Sequence, residues 1–480
     1  VSERSRPPRP STAGEGPAAP GAGRGGRVTP ILVVTALASA ISGFLYGYDT
    51  GIISGALLQI GDEFDISRVQ EQTITAGILV GAVIGAFVGS RLAERLGRHR
   101  TILVVAAVFV AGTLLCSVAP SATTLSLARV LLGTAVGAAT QTVPMFVAEL
   151  APPAQRGRLV LSFQLAIGAG ILVATLVGAS QQFSWRLSIG AAAVPAALLF
   201  LLVLKQPESP RWLVKVDRVD EARSTLQRLR GTAGAQDVER ELDEIRDLVA
   251  HEQDAPVRGW PGLRQGWVRP AVVVGCGIAL FTQLSGIEMV VYYTPTILTG
   301  VGFTRSDALL ASVALASTYL VAQLVGLAVV DRVGRRRLAL VTTPGAAAAL
   351  LLLGALFVTG RDSPGTAWLI VTLLVVFMAF TSAGLQLIGW LTGSEVYPLS
   401  VRPAGTAAQS MTLWGTNAVL SLTILSMIDG IGEGPTFWVY AAFNVLAFLF
   451  VLRRVPELKG RSLEDIEGSL RSGTFRPGAV

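Results

Sequence analysis

The chain has 480 residues, 51% of them hydrophobic and only 15% charged, with a formal net charge of +7. A water-soluble chain carries about 25% charged residues, so an ordinary soluble multidomain protein is excluded first. Cys116 and Cys276 lie in apolar blocks, His99 and His251 stand apart, and no GxSxG motif occurs, so no disulfide framework, metal site or enzyme nucleophile is expected.

The positive charge falls in short runs between apolar blocks. That is the pattern of loops beside membrane spans, not of a nucleic-acid-binding patch, so the expected surroundings are a lipid bilayer with no nucleic acid. Residues 1–27 are rich in Pro, Gly, Ser and Arg, and they read as a disordered cytoplasmic tail. A signal peptide would need an apolar stretch there, and the first one, near Ile31, is too long to be one.

Twelve apolar segments follow, at 31–58, 73–92, 101–119, 122–148, 159–180, 187–204, 270–299, 308–330, 338–359, 366–393, 403–428 and 434–453. These are spans 1 to 12, since a spanning helix needs about 20 apolar residues. The reading is an all-α membrane protein with one six-helix half over 28–204 and a second over 270–455. Residues 205–269 interrupt the pattern with charge and amphipathic spacing at 219–229 and 238–248. They predict a cytoplasmic linker with short helices, and 456–480 a cytoplasmic tail.

Arginine sets the orientation. Arg91, Arg95, Arg98, Arg100, Arg156, Arg158, Arg332, Arg335, Arg336, Arg337 and Arg402 fall on one side, against little beyond Arg68, Arg186, Arg305 and Arg361 on the other. The asymmetry predicts a multi-pass protein of the cell (inner) membrane with both termini in the cytoplasm. The chain also repeats. Gly97-Arg98 returns as Gly334-Arg335, Glu149 with Arg156 as Glu395 with Arg402, and Pro207-Glu208 as Pro456-Glu457. Three features recurring at nearly one offset predict two pseudo-symmetric halves.

Several residues carry mechanism. Asp49 lies deep in span 1, where a carboxylate costs about 2.5–3.5 kcal/mol on insertion scales. Arg129 of span 4 lies at a similar depth, about 10 Å from its outer helix end against about 16 Å for Asp49. A carboxylate beside arginine stays ionised, and one without it is driven toward protonation by loss of water, which is the alternation that proton coupling needs. A structural ion pair is the plainer alternative. Glu94, Arg95, Arg98, Glu149, Arg156, Glu208, Arg211, Asp331, Arg335, Glu395 and Arg402 gather at cytoplasmic helix ends. They predict an ion-paired gate there, with topology-setting charge as the alternative. Gly77, Gly81, Gly85 and Gly89 form a stripe in span 2 suited to close helix packing. Gln164, Thr282, Gln283, Glu288, Tyr293, Trp390, Trp414 and Asn417 are polar or aromatic within spans 5, 7, 10 and 11. Amides match hydroxyls as donor and acceptor, and indole faces suit the C–H face of a sugar ring. Glu288 must be protonated, paired or facing a wet cavity.

The chain resembles the sugar porter family of the major facilitator superfamily over residues 31 to 467. The resemblance rests on Gly47-Tyr48-Asp49-Thr50-Gly51, on Arg129 with Gly133, and on Pro144 through Glu149 to Arg156-Gly157. It continues in Pro207-Glu208-Ser209-Pro210-Arg211-Trp212-Leu213, in Gln283-Leu284-Ser285-Gly286-Ile287 with Tyr292-Tyr293, and in Val455-Pro456-Glu457 with Lys459-Gly460-Arg461. It implies the major facilitator fold and alternating access for a monosaccharide, pentose or inositol, with no cofactor beyond a proton gradient. It also implies that Asp49 and Arg129 are the coupling pair and that Gln164, Gln283, Trp390, Trp414 and Asn417 contact sugar. The family shows a second glutamine where this chain has Thr282, asparagine in place of Glu288, a Gly-Pro pair before the Trp390 position, and often glutamine in place of Leu413. The expected function is proton-coupled symport of a sugar, polyol or sugar-like metabolite by a monomer. A proton-driven exporter of a polar metabolite is the alternative, and a non-transporting sugar sensor ranks below both.

Overall fold

The computed structural model describes residues 29–231, 234–254, 259–300, 302–359 and 364–477. The expected tail, residues 1–27, lies outside them, as do Arg361 and the side chains of Arg156 and Arg158. Among the described residues all regular structure is helical, and twelve helices are long and apolar enough to cross a membrane.

The helix starts differ between the two ends of the bundle. Spans 2, 4, 6 and 8 begin at Ser67, Ser121, Ser184 and Thr304, whose side chains accept from backbone N–H groups of the first turn. Spans 1, 5, 7 and 11 begin instead with a proline in the first turn, where its missing N–H costs nothing. Inside the spans, Thr35, Thr75, Thr101, Thr175, Thr282 and Thr343 donate back to carbonyls four residues earlier, which satisfies hydroxyls that find no water. Outward-facing Val80, Ile84 and Val88 of span 2 and Leu310, Val321 and Val325 of span 8 remain exposed on the protein, as a lipid-facing surface requires.

Three spans that read as continuous are each in two pieces. Span 6 is Trp185–Gly190 and Ala193–Leu204, span 7 is Arg269–Leu284 and Ile287–Gly300, and span 10 is Pro364–Ala383 and Leu385–Glu395. Gly286 breaks span 7 with φ of 92°, a left-handed backbone that a side chain would strain.

In the first half, span 1 packs on span 5, span 2 on span 4 and span 3 on span 6; in the second, 7 packs on 11, 8 on 10 and 9 on 12. The halves meet where span 2 lies on span 11 and span 5 on span 8, a pair of contacts related by the same pseudo-symmetry. Packing chemistry differs between the halves. Gly81 and Gly85 set span 2 against the carbonyls of Val130 and Thr134 in span 4, and Gly133 and Gly137 return the contact against Ile78 and Ala82. Gly43, Gly47 and Gly51 do the same for span 1 against Phe163, Ile167 and Ile171 of span 5, a second glycine stripe not singled out in the sequence. In the second half some glycines receive rings, with Phe450 on Gly277 and Phe380 on Gly345, while Gly326 meets the Ala383 backbone.

The linker folds into helices Pro210–Lys215, Val219–Arg230 and Ala235–Asp254 around Trp212, Leu213, Leu226, Val238 and Leu242. It docks on the first half: Trp212 Nε1 donates to the Glu94 carbonyl (2.9 Å) and Arg230 to the Leu150 carbonyl (3.0 Å).

A Cβ at Gly133 would overlap the Ile78 backbone, whereas one at Gly61 meets nothing within 4 Å. Gly133→Val is expected to cost about 2 kcal/mol or more, and Gly61→Ala to add about 0.5–1 kcal/mol. Thermal unfolding of the purified variants in one detergent measures both; equal melting temperatures for the two would show that the stripe does not set helix approach.

Candidate functional site

Asp49 sits in the middle of span 1 and Arg129 in span 4, and the fold brings them together. Arg129 Nη2 lies 3.3 Å from Asp49 Oδ2, and its Nε donates to the Ile74 carbonyl of span 2 (2.8 Å). Arg129 is 0% exposed and its Nη1 has no partner. Such a pair holds three helices together, yet its third donor leaves it incompletely bonded. Removing either partner strands a buried charge, which costs about 3–5 kcal/mol.

Beside this pair, polar side chains of both halves converge on their seam. Gln164 of span 5 lies one turn before Gly168, and Gly168 packs against Gln323 and Tyr319 of span 8. Tyr319 faces Gln323, Gln386 of span 10 and Glu288 of span 7. Tyr46 of span 1 packs edge-on against Trp414 (5.2 Å between ring centres) and beside Trp390 (6.3 Å). Tyr292, one turn beyond Glu288, lies within reach of Asn417 and Thr50. These side chains are buried, Trp390 partly so, yet many of their polar atoms have no partner: Gln164 Nε2, both ends of the Gln283 and Gln323 amides, Gln386 Oε1, Asn417 Nδ2, both indole N–H groups and Glu288 Oε2.

Two expected site residues are engaged otherwise. The Thr282 hydroxyl donates to the carbonyls of Ile278 and Leu385, fastening span 7 to span 10 at its break. The Tyr293 hydroxyl donates to the Ser421 carbonyl (3.1 Å), fastening span 7 to span 11. Tyr46, Tyr319 and Gln323 were not singled out in the sequence, because a tyrosine or glutamine in an apolar run looks like any helix contact until its neighbours are known.

At the linker end the repeat becomes geometry. Arg98 meets Glu149 (3.0 Å) and Arg335 meets Glu395 (2.7 Å), each joining the start of one span to the end of the next within one half. Arg335 also reaches Asp331 (2.8 Å). Burial pushes the Glu395 carboxyl up from its ordinary value, and Arg335 pulls it back. Glu208 accepts from the backbone N–H groups of Arg98 (2.9 Å), His99 (3.1 Å) and Ser209 (2.8 Å), and Glu457 likewise from Arg335 (2.8 Å) and Arg336 (3.2 Å). Each carboxylate thus caps a helix start beside a glycine with positive φ, Gly97 or Gly334, where negative charge is favourable.

The sequence paired Glu395 with Arg402, but Arg402 turns to the Tyr397 carbonyl (3.3 Å) because the intervening turn carries it away from Glu395. Arg211 pairs with Glu252 of the linker (3.2 Å). The side chains of Glu94 and Arg95 make no ion pair among the described residues, and that of Arg156 lies outside them. These pairs therefore brace each half and the linker, and the halves are joined at this end by Gln141 of span 4 against Ser410 and the Thr406 carbonyl of span 11.

At the opposite end, Thr296 of span 7 donates to Glu71 of span 2 (3.0 Å), the Gln72 amide meets Ser426 of span 11 (3.1 Å), and Arg305 pairs with Asp62 (2.7 Å). Contacts between the halves thus close the polar seam from both ends.

Two six-helix halves, a buried ion pair and a sealed polar layer on their shared seam define a membrane transporter of the major facilitator fold. A family model described as sugar (and other) transporter matches residues 35–470. The D-xylose transporter of Levilactobacillus brevis is 37% identical over 440 residues, covering 91% of this chain and 95% of that protein. The major myo-inositol transporter IolT of Bacillus subtilis is 34% identical over 445 residues, covering 91% and 93%. The solved structure of the proton:xylose symporter XylE bound to 6-bromo-6-deoxy-D-glucose superposes with a TM-score of 0.77 at 25% identity, covering 91% of this chain and 98% of that one. The chain belongs to the sugar (and other) transporter family, whose members are membrane transporters and not enzymes.

Glu149 is nearly buried against Arg98, whereas Asp331 is 77% exposed. Glu149→Gln is expected to destabilise the protein by about 3 kcal/mol and Asp331→Asn by less than about 1 kcal/mol. Glu149→Gln and Glu395→Gln should also raise cysteine-accessibility labelling near Gln141. Unchanged melting and labelling would reduce these acids to loop decoration.

Proposed function

We propose that the chain is a proton-coupled symporter of a sugar, polyol or sugar-like metabolite, working by alternating access in the cell membrane with the linker end in the cytoplasm. The observation that carries this reading is the layer of buried, unpartnered amide and indole groups on the seam between the halves. Buried polar atoms are nearly always bonded, and each one left unbonded is costly. A ligand bearing several hydroxyls, each both donor and acceptor, satisfies such a layer as no apolar solute does. The names of the relatives, a xylose transporter, a myo-inositol transporter and a proton:xylose symporter, support the same class.

In this reading Gln164, Gln283, Glu288, Trp390, Trp414 and Asn417 hold the substrate, with Gln323 and Gln386 beside them. Thr282 and Tyr293 position span 7. Substrate in the layer bonds to both halves, and its release requires either the Glu71–Thr296 and Gln72–Ser426 contacts or the Gln141–Ser410 contact to part. The breaks at Gly286 and Gly384 let the half of each span nearer the moving gate swing alone. Asp49 carries the proton: protonation removes its charge, releases Arg129, and loosens the joint among spans 1, 2 and 4. Everything needed lies within one chain, which fits a monomer as the working unit.

Asp49→Asn removes the titrating group and keeps the shape. In proteoliposomes it is expected to abolish accumulation of substrate against its gradient while counterflow exchange stays measurable. Accumulation by the Asn variant would remove Asp49 as proton carrier, and wild-type accumulation only against the inward proton gradient would favour export.

A further inference from the structure

Two carboxylates lie deep in the spans, and they differ in one respect. Asp49 has its countercharge built in, since Arg129 lies 3.3 Å away. Glu288 is 5% exposed and equally deep, yet no arginine, lysine or histidine among the described residues pairs with it. The Tyr292 hydroxyl is the polar group beside it, and its Oε2 has no partner at all.

Three tyrosines bring their phenol groups toward Glu288. Tyr46, Tyr292 and Tyr319, from spans 1, 7 and 8, all lie within electrostatic reach of its carboxylate, and Trp414 packs against Tyr46. A buried carboxylate with no countercharge of its own is a poor place for a bare anion and a good one for an ammonium group, which supplies that charge. The remaining unpartnered groups of the layer are uncharged amides and indoles, suited to hydroxyls. The site thus offers many neutral contacts and one anionic contact without a countercharge.

We propose that Glu288 forms a cation subsite, so that the substrate is a polyhydroxylated ring bearing a protonated amine, an amino sugar or an amino cyclitol. This rests on the reading of the layer as a sugar site. The ammonium group supplies the countercharge that the protein withholds from Glu288, while ring hydroxyls bond to Gln164, Gln283 and Asn417. A neutral sugar of the same shape leaves the Glu288 carboxylate without a countercharge.

The test uses matched ligand sets on the purified full-length protein: D-glucose, D-glucosamine and N-acetyl-D-glucosamine, and the same three of the galactose series. Affinity is measured by calorimetry at a pH where the free amines are protonated. The amino member is expected to bind about tenfold tighter than its neutral and N-acetylated counterparts, the scale of one desolvated cation contact. In Glu288→Gln, which keeps the shape and removes the charge, that ratio should collapse to about one. If the Gln variant does not fold, the wild-type ranking alone decides. Neutral sugars binding as well as amino sugars in the wild type would overturn the cation subsite and leave the sugar reading standing, as would a ratio unchanged by the substitution. No binding by either amino sugar would likewise overturn the cation subsite.

Discussion

Hydrocarbon supplies no hydrogen bonds, so every polar group within the spans must find its partner inside the protein. Helices settle the backbone, and many threonine hydroxyls, such as those of Thr35, Thr175 and Thr343, settle themselves on carbonyls one turn back. Arg129 is bonded to a carboxylate on one neighbour and a carbonyl on another. Among the buried side-chain atoms left unpartnered, those of Gln283, Gln323, Asn417 and Glu288 belong to the long polar side chains. They gather on the seam between the halves, beside the break at Gly286.

The same constraint shapes how the halves move. Within the first half, glycine stripes bring spans 1 and 5, and spans 2 and 4, into backbone contact, so the half behaves as one block. Between the halves, polar contacts such as Thr296 on Glu71 and Gln141 on Ser410 join the apolar packing at both ends of the seam. Polar contacts exchange readily with water when a face opens, whereas interlocked backbones do not. Stiff blocks joined by exchangeable contacts are what rocking about a central site requires. The carboxylates of Glu208 and Glu457 serve the blocks too, each fastening a helix start to the chain leaving the same half.

Much of this was legible in the residues. Span number, the linker and the two-fold repeat follow from where apolar runs stop and arginine begins, because hydrophobic length and charge asymmetry are local properties. Asp49 and Arg129 were paired already by their depth in the spans and by the family resemblance, since charge in an apolar run is costly wherever it lies. The partners of the linker-end charges were harder to read. Glu395 and Arg402 are close in sequence, yet Arg335 from another span takes Glu395. Glu208, read as a gate residue, caps a helix start, as does Glu457 of the second Pro-Glu repeat.

The sequence by itself determined that the chain is a twelve-span bundle of two related halves with a charged pair at depth, because each of these is set by composition along one stretch of chain. Only the tertiary structure decided which polar side chains share a layer, that Tyr46, Tyr319 and Gln323 belong to it, and that Thr282 and Tyr293 are already bonded elsewhere. Those facts depend on which faces of different helices meet. Helices apolar all round carry little mark of their inner face, and so the choice rests on glycine contacts and on the seam between the halves.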